Sequence, residues 1–394
     1  MTSINKRRSL AGSYCPSFFN IKVNSCKDIY SASLLTDNVL FHEYIHFMQD
    51  ITTTAGYERL FNLLAKIDYL CRELHGKSEV LIPYEIKNEE WGPNEEIEKI
   101  MDCHDDYNWK EYKIIEIIED KKRGVVLKLE TPDGIRETLF GAYQIEEIMA
   151  ECCESTHPLY SPCDEYPYSL WEKFNEYFGY KLTKYDYARL SFVSLNNTFP
   201  GIDFYTMLKF VPKIEINLMM RMVYESKMKI KDYFRTETLK KMSWLYGCNF
   251  PGIVKWYSTC TKQNEKYDEY DKFIALLDNM LSPASEFNSF VENNGLPVVR
   301  DGKNNFGYGV KFDGDGDMYG LIALQSAVDV LFDKSAFDCP FRKFCEKFED
   351  ETKEERMTLD CLGTPWNYQK DEKTCIMSRM WKSLGFPPNV TRKN

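Results

Sequence analysis

The chain has 394 residues, 43% of them hydrophobic, enough for one large core or two modest ones. A formal net charge of −11 argues against nucleic acid or an anionic membrane as the main partner. No run of about 18 apolar residues occurs, and no apolar stretch follows the basic start MTSINKRRSLAGSYC, so neither a transmembrane helix nor a secretory signal is expected.

Residues 16–23, PSFFNIKV, read as a short strand, either structural or an edge for an extended peptide. The stretch 36–53, TDNVLFHEYIHFMQDITT, predicts a helix that Thr36 or Asp37 can cap. On it His42 and His46 stand four apart, so both imidazoles leave one face, one turn apart, and both can reach a single tetrahedral Zn²⁺. Glu43 sits beside the first imidazole, where a carboxylate can take a proton from metal-bound water. His42, Glu43, His46, Gln49 and Asp50 fall within about one third of the wheel, and apolar residues fill the rest. A narrow polar stripe on a buried helix lines a cleft or binds something.

A second helix is expected over 57–74, with Gly76 as its stop. Residues 77–112 are polar and acidic and read as a solvated insertion. Alternating β-branched and charged residues around a Pro-Asp-Gly turn predict an antiparallel meander near 113–119, 124–130 and 135–140. From Ala142 the apolar spacing becomes helical, with Ile145, Ile148, Met149 and Cys152 on one stripe and Glu147, Ala150, Glu151 and Glu154 largely opposite.

Residues 157–300 read as a mainly helical lobe rich in aromatic residues. His157, close after the Glu147 helix, could help a substrate oxyanion, but a capping or surface role is the expectation. The stretch 312–320, FDGDGDMYG, resembles the start of a calcium loop, but Met318 and Leu324 occupy the positions that need Gly and Glu, so a tight acidic turn is expected. Thirteen cysteines, an odd number spread along the chain, fit reduced thiols and a cytoplasmic protein better than a disulfide framework. In the tail, Cys339, Cys345, Cys361 and Cys375 are candidates for a structural zinc or an iron–sulfur cluster, or are separate buried thiols.

The HEYIH motif resembles that of the zincin metallopeptidases. The metzincin branch continues to a third ligand on the same helix, but here those positions are Gln49 and Thr52. The gluzincin branch takes a glutamate from a later helix, commonly with a second acidic residue one turn on and small residues nearby. That resemblance implies Glu147 as the third ligand, with Glu151 one turn later and Ala150 allowing close approach. Glu151, supported by Glu154, is the alternative. Asp50 or Glu151 would then orient a ligand imidazole from behind.

The expected fold is α+β and mostly helical, a zincin-like lobe with a small antiparallel sheet beside a helical lobe. Its expected parts are a catalytic region over 1–156, a helical lobe over 157–324 and a cysteine-containing segment over 325–394. The expected activity is zinc-dependent hydrolysis of a protein or peptide, with His42, His46 and Glu147 on the metal and Glu43 as base. Two other readings stand beside it: a catalytically silent, zinc-stabilised binding protein, and a metal-dependent hydrolase of non-peptide amides.

Overall fold

The helix that carries HEYIH runs Asn38–Thr52 (α1), and its apolar residues Leu40, Phe41, Tyr44, Ile45, Phe47, Met48 and Ile51 are all in the core. Burying each such side chain contributes about 1.5–3 kcal/mol, so α1 is held by packing on nearly every side. The computed structural model describes residues 12–23, 38–84, 109–120, 124–155, 157, 159–211, 215–246, 252–255, 257–258, 261, 298–301, 315–332 and 376–392. The fold is α+β and mostly helical.

Before α1 the chain forms a hairpin, β1 (Gly12–Cys15) against β2 (Asn20–Val23), with Tyr14 opposite Ile21. The single strand expected over 16–23 is therefore corrected: residues 16–19 are the turn. The apolar Phe18 and Phe19 suggested a strand because both are buried, but they enter the core from the turn. Ser17 and Phe19 adopt positive φ there. Such backbone costs about 1–3 kcal/mol, and the Ser17 N–H bond to Asp50 Oδ2 at 2.7 Å helps to offset it.

The second helix, α2 (Thr54–Leu74), begins earlier than expected, because Thr53 caps it by accepting the Gly56 N–H. One residue separates α1 from α2. That bend needs glycine at position 56, where a Cβ would lie 2.4 Å from the carbonyl oxygen of Asp50. Gly76, at φ +73, follows the helix end.

The expected meander is present as β4 (Lys113–Asp120), β5 (Gly124–Thr131) and β6 (Gly134–Phe140), antiparallel in that order. It leads directly into α3 (Ala142–Glu154), which packs on α1. Helices α4 (Leu170–Phe178), α5 (Lys184–Leu195), α6 (Pro200–Phe210) and the long α7 (Ile216–Tyr246) follow. Helix α5 backs α3, and α7 lies along α2.

Strand β7 (Val298–Asp301) pairs parallel with β2, so residues distant in sequence complete the sheet beside α1. Helix α8 (Asp315–Phe332) starts inside the acidic stretch expected as a turn, which corrects that reading. The apolar run after it, LIALQSAVDVLF, carries the helical pattern back to Asp315. Helix α9 (Ile376–Ser383) packs on α8.

Strand β8 (Asn389–Arg392) pairs parallel with β3 (Glu79–Ile82). Both β3 and Tyr112 bury side chains, so the flanks of the expected insertion belong to the core, while residues 85–108 lie outside the described residues. Strand pairing links all three expected parts of the chain. Among the described residues, no helix is long and apolar enough to cross a membrane.

Candidate metal centre

Helix α1 places His42 and His46 one turn apart, and α3 lays Glu147 across them. His42 Nε2 and His46 Nε2 are 3.2 Å apart, and Glu147 Oε2 lies 3.3 Å from the first and 3.5 Å from the second. A tetrahedral zinc with ligands at about 2.05 Å has ligand–ligand edges of about 3.3 Å. The three atoms thus match one face of such a tetrahedron, formed by the residues expected from the sequence.

The other side of each imidazole decides which nitrogen faces the centre. His46 Nδ1 lies 2.8 Å from Gln49 Oε1, and the Gln49 amide is oriented by its own N–H bond to the Glu146 carbonyl at 3.0 Å. An amide oxygen only accepts, so His46 carries its proton on Nδ1 and leaves the Nε2 lone pair inward. His42 Nδ1 lies 2.9 Å from Glu154 Oε2, and Glu154 Oε1 accepts from Asn38 Nδ2 at 3.0 Å. Two inward lone pairs and a carboxylate oxygen form an acceptor set suited to a shared cation. His–Glu donors of this kind fit zinc.

Burial opposes a charge on His42, yet Glu147 and Glu154 raise its pKa well above the usual imidazole range. Burial likewise opposes His46, and Glu147 raises it. Glu147 is pulled far below the usual carboxylate range by the two imidazoles, against its own burial. The carboxylates thus favour positive charge at this point, which a proton on the rings or a bound cation in its place would supply.

Glu43 is also buried, but it is not one of the three converging donors. Burial raises its pKa, the imidazoles pull it back, and the Tyr14 backbone N–H bonds to it. Strand β1 can pass this close because position 12 is glycine: a Cβ there would lie 2.5 Å from Val39 Cγ1 and 3.2 Å from Glu43 Oε1. The Tyr14 ring stacks on His46, and its hydroxyl donates to Asp50 Oδ2 at 2.8 Å.

The expectation that Asp50 or Glu151 orients an imidazole is corrected. Asp50 accepts from Tyr14, Ser17 and Arg59, and Glu151 from the Tyr160 hydroxyl and the Cys163 N–H. The orienting groups are Glu154 and Gln49. Helix geometry explains the exchange: seven residues bring Glu154 back to within about 20° of Glu147, whereas Glu151 is turned by about 40° toward the opposite flank. The alternative with Glu151 on the metal and Glu154 behind it is set aside for the same reason. Gln49, three residues from His46, was legible as a facing partner; Tyr14 and Arg59 had no local signal.

His157 is buried and caps a turn, its Nδ1 accepting the Leu159 N–H. Cys339, Cys345, Cys361 and Cys375 lie outside the described residues. No protein-family model, curated protein or solved structure matches this chain.

Proposed function

We propose that this chain is a zinc-dependent metallopeptidase of the gluzincin kind, acting on a protein or peptide in the cytoplasm. Zinc held by His42, His46 and Glu147 would, when bound, supply Lewis-acid polarisation of the scissile carbonyl and a more acidic water. Glu43 takes the proton of the attacking water and passes it to the leaving amine. The Tyr14 N–H orients the Glu43 carboxylate, while Glu154 and Gln49 keep both imidazoles in the tautomer that points Nε2 inward. The observation that carries this reading is Glu43 itself, a carboxylate buried beside three converging donors without being one of them. Metal coordination alone makes no use of it.

One observation favours a second reading, a zinc-stabilised binding protein without activity. His42, Glu43 and Glu147 are each no more than 8% exposed, and Glu43 already bonds to β1. Metal analysis of purified protein, followed by incubation with a proteome-derived peptide library, separates the two. Cleavage that Glu43→Gln lowers about 10²–10⁴-fold while zinc stays bound supports the peptidase. Zinc binding with no cleavage favours the silent protein, and cleavage indifferent to Glu43→Gln refutes the assigned base.

A further inference from the structure

Glu146, the residue before Glu147, is gripped twice. Its backbone carbonyl accepts from Gln49 Nε2 at 3.0 Å, and its carboxylate accepts from Arg59 Nη2. Both donors are tied to α1: Gln49 belongs to it and accepts from His46 Nδ1, and Arg59 Nη1 of α2 donates to Asp50 Oδ1 at 2.6 Å. Asp50 Oδ2 accepts in turn from the Tyr14 hydroxyl and the Ser17 N–H of the hairpin. The hairpin, α1, α2 and α3 thus converge on three charged side chains, Asp50, Arg59 and Glu146, exposed by only 2%, 7% and 7%.

A buried ion cluster is a weak source of stability, since apolar residues of similar volume often serve as well or better. It supplies direction: the planar guanidinium fork fixes the separation and orientation of the two carboxylates it bridges. Successive helical side chains diverge by about 100°, so drawing Glu146 toward Arg59 turns Glu147 toward the imidazoles.

We propose that Arg59 is a positioning residue that docks α3 on α1 and so sets the Glu147 carboxylate within 3.5 Å of both histidine Nε2 atoms. This rests on the metal-site reading above. Arg59 touches neither imidazole and acts only through Asp50 and Glu146.

The test uses the full chain, zinc affinity by competition with a chromophoric chelator, and the visible absorption of the Co²⁺-substituted protein, which reports tetrahedral geometry. Arg59→Lys retains the charge without the fork. The triple variant Arg59→Met, Asp50→Asn, Glu146→Gln removes the whole charge cluster, so no buried ion is left unpaired. Both are expected to fold and to bind zinc about 10–100-fold more weakly, with an altered cobalt spectrum. Leu70→Ala, which opens a cavity further along α2, is the control: it should lower Tm and leave affinity and spectrum unchanged. Wild-type affinity and spectrum in both Arg59 variants overturn the inference, as does an equal loss of affinity in Leu70→Ala. A wild-type protein that binds neither metal overturns the metal reading and this inference with it; wild-type binding with indifferent Arg59 variants overturns this inference alone.

Discussion

Replacing Glu154 separates charge from hydrogen bonding in the support of His42. The Nδ1 to Glu154 Oε2 contact of 2.9 Å is charge-assisted, and both partners are buried. Bonds to a charged group contribute about 1.5–3 kcal/mol against about 0.5–1.5 for neutral pairs. Glu154→Gln preserves an acceptor and removes the charge, so it should cost about 1–1.5 kcal/mol of metal binding, roughly five- to tenfold in affinity. Glu154→Leu removes the acceptor as well. His42 is then free to rotate or change tautomer, and the loss should reach about 10–100-fold. The assay is chelator competition for zinc at fixed pH, with circular dichroism to verify the fold. The ordering wild type, then Gln, then Leu carries the argument. If Glu154→Leu binds zinc as tightly as wild type, the imidazole is not held from this side and the proposed tautomer is wrong.

Four further substitutions probe the rest of the structure. Glu147→Ala should abolish stoichiometric zinc, whereas Glu151→Ala, turned toward Tyr160 and Cys163, should retain it; the reverse result in metal analysis would move the third ligand. Burial pushes Glu58 from its ordinary 4.5 up to about 7, so its penalty is absent below pH 4.5 and develops as pH rises through 7. That gap of about 2.5 in pKa corresponds to at most ~3.4 kcal/mol, so Glu58→Gln should match wild type near pH 4.5 and exceed it in denaturant unfolding at pH 8. Gly56→Ala forces a methyl against the Asp50 backbone at 2.4 Å and should cost about 3 kcal/mol of stability, lowering the unfolding midpoint; an unchanged midpoint would contradict the tight α1–α2 bend.

Local periodicity alone marks the elements that carry the site. Four-residue spacing put His42 and His46 on one face, and β-branched alternation around Pro132-Asp133-Gly134 marked the meander to within a residue or so. The apolar stripe after Ala142 identified the helix that presents Glu147. These are short-range properties of a chain with fixed helical and strand periods, and they survive in any tertiary setting.

Tertiary structure decided how the helices meet. The choice between Glu154 and Asp50 or Glu151 as the partner of an imidazole depends on where α3 crosses α1. The link from Arg59 to Asp50 and Glu146, the approach of Tyr14 to Glu43, and the pairing of β2 with β7 and β3 with β8 join segments far apart along the chain. No periodicity specifies such a juxtaposition. It follows from which buried surfaces fit and which buried polar atoms find partners, and those are properties of the packed chain.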